Sequence, residues 1–230
     1  MRLRFIHFLF YSLFLLVFMK APYAHEFKRI SRLSQVSDPD LDGTIVVLDL
    51  DETLIEPVGF LGSKIWYYEY FNHVRQQTQS PEGKSHAIAM RVWNRVQSHL
   101  QMKLVDPSAI EWIQKRQQRR TPVIALTARR PELRRVTMEQ LERLGLFFHP
   151  LYKLSSIESG VHFVGEFKPK GEALLQLIQE NSINVKRVIF VDDSINNQVS
   201  VSESLSTIQV IVDSYVLEPE CQKDLEGKDQ

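Results

Sequence analysis

A chain of 230 residues, 43% hydrophobic and 24% charged, with 9 Gly and 10 Pro, is long enough to bury a sizeable core. Those values exclude a collagen-like, coiled-coil or wholly disordered polymer. Lys+Arg and Asp+Glu both number 28, so no net charge steers the chain toward nucleic acid. The single cysteine, Cys221, excludes an internal disulfide and a cysteine-based zinc cluster.

The charge is unevenly placed. Arg2 and Arg4 precede an apolar run from Phe5 to Met19, and Lys20, Ala21, Pro22, Tyr23 and Ala24 follow it. A basic start, a short apolar middle and a small-residue exit predict a signal peptide over residues 1–24. The run falls short of the ~20 residues a helix needs to span a bilayer. The chain is therefore expected to be exported, periplasmic or secreted in a bacterium, with no stable membrane span after cleavage. An uncleaved N-terminal anchor is the alternative. Cleavage after Ala24 would remove Arg2, Arg4 and Lys20 but no acid, so the remaining domain would carry a net charge of −3.

Residues from His25 to Gly43 form a polar lead-in that reads as loop. Thr44 to Leu48 is a short β-branched run bounded by Gly43 and acids, the pattern of a buried parallel strand. The stretch from Glu56 to Val105 is too long for one crossover helix and is read as an inserted helical subdomain. Within it Ile88, Val92, Val96 and Leu100 recur every four residues, with Trp93 alongside. Trp66, Tyr70 and Val74, and likewise Tyr67, Phe71 and Val74, follow helical spacing, which favours packing inside the insert over stacking on a ligand. Pro107 opens a further helix that Asp106 is placed to cap. Val123 to Leu126 is the second strand, and a helix from Leu133 to Leu144 ends at Gly145. Glu158 to Phe167 reads as a small hairpin or flap, and Ala173 to Ile178 as a helix. Val188 to Val191 and Ile208 to Val212 are strands, and Glu218 to Gln230 is a loose tail.

Strands alternating with helices predict an α/β fold: a doubly wound, mostly parallel sheet with an inserted helical cap and a small flap. The core is expected over residues 25–55 and 106–217, the cap over 56–105, and the tail over 218–230.

Four short motifs stand at or near predicted strand ends, where open α/β sheets bind ligands. Asp49-Leu50-Asp51-Glu52-Thr53-Leu54 follows the first strand, and period-two geometry puts Asp49 and Asp51 on one side. Such a pair can bind a hard cation, with one carboxylate as nucleophile and the other as proton shuttle. Thr127-Ala128-Arg129 follows the second strand, a hydroxyl beside a helix start that suits phosphate. Lys168 and Lys170 sit at the mouth of a helix, where a cation is locally unfavourable and points to an anionic partner. Asp192-Asp193-Ser194-Ile195-Asn196-Asn197 follows the third strand, and adjacent carboxylates repel unless a cation or a shared proton neutralises them.

Together and in this order, the four motifs resemble those of the haloacid dehalogenase superfamily of phosphohydrolases, over roughly Ile45 to Val212. The Asp-Leu-Asp-Glu-Thr-Leu form is similar to that of its secreted acid phosphatases and carboxyl-terminal-domain phosphatases. The third motif resembles that of an uncharacterised family of exported members. The resemblance implies that Asp49 attacks phosphorus and forms an aspartyl-phosphate. Asp51 would protonate the leaving oxygen and then deprotonate the hydrolytic water. It further implies Mg²⁺ held by Asp49, the main-chain carbonyl of Asp51 and Asp193, with Asp192 behind the ligands and Asn197 orienting a metal-bound water. Thr127 would bind phosphoryl oxygens, and Ala128 and Arg129 beside it are expected to bind substrate with it. Lys170 would neutralise both nucleophile and phosphate, with Lys168 the alternate. Dehalogenases lack the second Asp of the first motif, so Asp51 argues for a phosphatase.

The implied function is an exported Mg²⁺-dependent phosphatase acting on a small phosphomonoester, with no nucleic-acid partner. A catalytically inactive binding scaffold and a protein phosphatase are the alternatives.

Overall fold

The computed structural model describes residues 26–37, 42–148, 160–165 and 167–218. The predicted signal peptide and the tail beyond Glu218 lie outside those residues. Among the described residues no helix is long and apolar enough to cross a membrane.

The chain runs β1 (Phe27–Ile30), β2 (Thr44–Leu48), β3 (Ile55–Pro57), α1 (Lys64–Thr78), α2 (Glu82–Gln97), β4 (Met102–Leu104), α3 (Ala109–Gln118) and β5 (Val123–Thr127). It continues through α4 (Arg134–Arg143), β6 (Val161–Phe163), α5 (Lys170–Glu180), β7 (Arg187–Asp192), α6 (Ile195–Ser206) and β8 (Ile211–Leu217). Six strands form one sheet in the order β1-β8-β7-β2-β5-β6, and every pairing in it is parallel. The expected α/β class and parallel sheet are thus observed.

Period-two alternation assigns the side chains of the central strands to opposite faces. Val46 and Leu48, Val123 and Ala125, and Ile189 and Val191 join one core with Trp112 and Ile113 of α3 and Leu141 of α4. Ile45 and Val47, Ile124 and Leu126, and Val188 and Phe190 join the other core with Leu174 and Leu177 of α5 and Val201 and Leu205 of α6. Burial on both faces explains why β2 reads as a continuous apolar run instead of an alternating one. Each such Val, Leu, Ile or Phe contributes about 1.5–3 kcal/mol by burial. From β2 the chain moves to β5 and β6 on one side and later returns to β7 on the other. The crevice beyond β2, between β5 and β7, is the switch point of the sheet.

Three expectations need correction. Phe27 to Ile30, within the supposed loop, is the edge strand β1, pairing with β8 from Phe27 opposite Ser214 to Ile30 opposite Leu217. Its charges mask it in the sequence: an outer strand can expose Lys28 and Arg29 while Ile30 is buried. The segment taken as a hairpin or flap supplies β6, an edge strand parallel to β5, with Val161 opposite Ala125 and Phe163 opposite Thr127. The last strand begins at Ile211 and not at Ile208. Gln209 takes a φ of 59°, which breaks the apolar run, and the strand instead extends to Tyr215, Val216 and Leu217, each about 1% exposed.

The stretch after the first motif contains the helical pair α1 and α2 on a short antiparallel ladder of β3 with β4. Its aromatic residues engage one another: Trp66 stacks on Tyr70 at 5.4 Å, and Tyr67 packs against Phe71 and His86. The apolar spacing on α2 is only half the story, since its buried positions are Ser85, Ala89, Asn94 and Gln97.

Asp106 caps the turn before α3, accepting from Ser108 N at 2.9 Å and from Leu33 N at 2.8 Å. Gly171 has a structural reason to follow Lys170. A Cβ there would lie 2.0 Å from the Ser200 carbonyl oxygen, so only glycine lets α5 approach α6 this closely.

Candidate active site

The first motif folds as its apolar residues require. Leu50 and Leu54 are fully buried, and the Leu50 carbonyl accepts from the N–H groups of Thr53, Leu54 and Ile55. This tight loop, with Glu52 at φ 60°, lifts the acids between the leucines away from the core. It also ends the strand geometry at Leu48, so Asp49 and Asp51 face different partners and period-two placement does not carry past the strand.

Asp49, nearly fully buried, holds the Lys170 ammonium at 2.5 Å through Oδ1. Lys170 Nζ also donates to Asp192 Oδ2 at 2.8 Å, so one buried lysine bridges the ends of β2 and β7 from the first turn of α5. Lys168 is exposed and donates to Gln176 instead. Asp192 is fully buried and accepts from Ser194 N at 2.8 Å. Asn197 Nδ2 donates to both of its oxygens at 3.0 Å. Asp193 accepts Lys64 Nζ at 2.7 Å, while its own N–H donates to Thr53 Oγ1 at 3.1 Å. Asp49, Asp192 and Asp193 each place a carboxylate oxygen within 4.8 Å of the others, a group that could hold a metal ion. The Asp51 side chain is not part of this group.

Asp51 is instead clamped by Arg129, from Nε to Oδ2 at 2.9 Å and from Nη2 to Oδ1 at 2.7 Å. The remaining guanidinium donors go to Thr137 at 3.0 Å, Gln140 at 2.6 Å and Gln97 at 3.2 Å. A guanidinium has five N–H groups, and all five are used by the protein. Arg129, expected from the sequence to bind substrate, is instead fully buried and fixes Asp51. Thr127, also fully buried, ends β5, and its Oγ1 accepts from Arg129 N at 3.1 Å; Ala128 lies between them in the loop.

Electrostatics match this crowding. Burial raises the Asp49 carboxyl well above its usual value; Lys170 opposes the rise, and Asp192, Asp193 and Asp51 add to it. Burial raises Asp193 as well, reinforced by Asp192 and opposed by Lys64 and Lys170. For Lys170 burial alone would lower the pKa, but the carboxylates of Asp192 and Asp49 override it and hold the ammonium above the ordinary lysine value.

Two residues without an assigned role in the sequence touch this site. Glu52 Oε1 accepts the Lys64 main-chain N–H at 2.8 Å, and the Lys64 side chain reaches Asp193. A signal was present: Lys64 opens α1 behind the capping Ser63, a position as unfavourable for a cation as that of Lys170. Gln97, Thr137 and Gln140 carried no such signal, because an amide or hydroxyl in a helix reads as surface.

Burial raises the Glu52 carboxyl from 4.5 to about 7, opposed by the Lys64 N–H and assisted by Glu56, Asp193 and Asp51. A folded value above the unfolded one means that this stability is present at low pH and is lost as pH rises through about 7. Glu52→Gln keeps the acceptor for Lys64 N–H and removes the charge. The variant should therefore exceed wild type by about 2–3 kcal/mol near pH 8, with the gain shrinking toward about pH 5, as read by urea denaturation. A pH-independent difference would contradict this assignment.

A family model described as "Protein of unknown function (DUF2608)" matches residues 26–217. The chain belongs to this family. No curated protein matches it. Among solved structures, the class C acid phosphatase from Bacillus anthracis is similar at 13% identity and a TM-score of 0.41, over 81% of this chain and 78% of that one. The same phosphatase with tungstate bound gives 12% and 0.40 over the same shares. A chain of the Pnkp1/Rnl/Hen1 complex gives 14% and 0.42, over 80% of this chain and 50% of that one. At these identities and scores, the chemistry of this member of the family must be read from its own residues.

Proposed function

We propose that the chain is a divalent-metal-dependent phosphohydrolase that cleaves a small phosphomonoester through an aspartyl-phosphate on Asp49. One observation carries the reading: a buried carboxylate at the switch point of the sheet, paired with a buried lysine and grouped with two further carboxylates. A structural core has no need of that concentration of charge, because burying it is costly.

The donor set fits a hard cation. Asp49, Asp192 and Asp193 supply only oxygen ligands, which suit Mg²⁺, and their raised or crowded carboxylates lack full neutralisation from Lys170 and Lys64. The main-chain carbonyl of Asp51 is a further ligand in this reading, and Asn197 keeps Asp192 in place. Such a cation, when bound, supplies positive charge to the phosphoryl oxygens.

The protein's own residues account for the remaining steps. An Asp49 carboxylate oxygen attacks phosphorus, and the bond from phosphorus to the ester oxygen breaks. Asp51, protonated when substrate binds, delivers its proton to the departing oxygen; it then takes one from the water that attacks phosphorus, and the bond from phosphorus to the Asp49 oxygen breaks to release phosphate. In its resting arrangement both Asp51 oxygens are held by Arg129, so proton transfer requires one of them to be released. Thr127 and Lys170 hold the phosphoryl oxygens, Lys170 from a helix N-terminus that also favours anions. Residues 56–105 act as the cap over a core of residues 25–55 and 106–217. The attachment of Lys64 to both Glu52 and Asp193 brings that insert against the site and favours a small substrate over a protein. The acidic domain that follows a cleaved leader is exported.

The test is release of phosphate from an aryl phosphate by the chain lacking residues 1–24. Turnover should require added Mg²⁺ and stop with chelator. No turnover across a broad panel of phosphomonoesters, with Mg²⁺ bound, would overturn the proposal.

A further inference from the structure

Lys64 is the one cation that the insert brings to the carboxylate group among the described residues. Its main-chain N–H is fixed by Glu52 at 2.8 Å, whereas its side chain is 40% exposed. The ammonium occupies a single oxygen, Oδ2, of an acid that belongs to the metal-competent trio. The lysine is thus a charged arm on a fixed shoulder, bonded to a carboxylate that a divalent cation would also use.

We propose that Lys64 and a divalent cation compete for Asp193, so that metal binding transfers the Lys64 ammonium from that carboxylate to the phosphoryl group of the substrate. This inference rests on the metal-dependent reading above. The charge arithmetic favours the exchange. Without metal, Lys64 neutralises part of the excess of Asp49, Asp192 and Asp193 that Lys170 leaves. With a doubly charged ion in place that excess is gone, and the next anion to arrive is a phosphate ester. Because Glu52 keeps hold of the helix N-terminus, the transfer requires a side-chain rotation and no displacement of the insert. Metal and substrate would then bind with positive coupling through one residue.

The experiment compares wild type, Lys64→Met and Lys64→Arg by calorimetric titration, first with Mg²⁺ alone and then with inorganic phosphate at saturating Mg²⁺. Loss of the competing cation should tighten Mg²⁺ binding by about fivefold in Lys64→Met and leave Lys64→Arg close to wild type. Phosphate should bind the Lys64→Met variant about fivefold more weakly. If wild type binds no Mg²⁺, the metal-dependent reading falls and takes this inference with it. If wild type binds Mg²⁺ but Lys64→Met binds it no more tightly, only the competition is overturned. Tighter Mg²⁺ with unchanged phosphate binding overturns the transfer to substrate.

Discussion

Asp49→Asn is expected to abolish phosphate release, by at least about a thousandfold, while leaving the fold as stable as wild type or more so at neutral pH. The activity loss follows from removing the only atom pair in the proposed scheme that can form the acyl phosphate. The stability expectation comes from the burial that raises the Asp49 carboxyl. A carboxylate that resists ionisation is costly to hold ionised, and the neutral amide avoids that cost. An asparagine keeps an oxygen acceptor for Lys170, which retains Asp192 as its counter-ion. Loss of function without loss of stability marks a residue kept for chemistry at the expense of the fold. Near-normal turnover by the Asp49→Asn variant would remove Asp49 from the mechanism. Activity is read by phosphate release and stability by thermal unfolding, on the same preparation.

The second large effect is expected at Lys170. It is 3% exposed and bridges two carboxylates that are themselves buried, so Lys170→Met leaves both without their shared counter-ion. Removing one partner of a buried ionic group costs about 3–5 kcal/mol. Asp49 is already raised, so its ionised form is penalised increasingly as pH rises through its folded value. The deficit of the variant should therefore be greater at about pH 8 than at about pH 5, because the raised Asp49 carboxyl takes up a proton more readily as pH falls. Denaturation with urea in chelator at both pH values measures it. A small deficit, independent of pH, would mean that the buried carboxylates are neutralised by something other than Lys170.

Much of this site was legible because its chemistry is local in the sequence. Asp49, Asp192 and Asp193 follow apolar runs that could only be buried strands, and the switch point of a parallel sheet brings the ends of those strands together. Choosing Lys170 over Lys168 needed the helix phase: Lys170 begins α5 and turns inward, whereas Lys168 precedes it and stays in solvent. The role of Arg129 was not legible. Its five donors are satisfied by Asp51, Gln97, Thr137 and Gln140, residues spread over several elements whose meeting is a tertiary event. Lys64 is hidden for the same reason, since only the placement of α1 against the end of β7 brings it to Asp193.

The fold shows the same division. Central strands announce themselves because burial on both faces demands continuous apolar residues, as in β2 and β7. Edge strands are free of that demand, so β1 with Lys28 and Arg29 and the three-residue β6 passed for loop and flap. The start of β8 was displaced because a positive φ at Gln209 interrupts a run that composition alone would make continuous.

The most direct test of the account is to look for the covalent intermediate. The chain is mixed with a phosphomonoester it turns over in Mg²⁺, quenched in acid, digested and mapped by mass spectrometry. The account predicts one phosphoryl group on the peptide that carries Asp49, stable in acid and released by hydroxylamine, and no such group in Asp49→Asn. Steady turnover with no phosphoenzyme, or a phosphoryl group on any other residue, would contradict it.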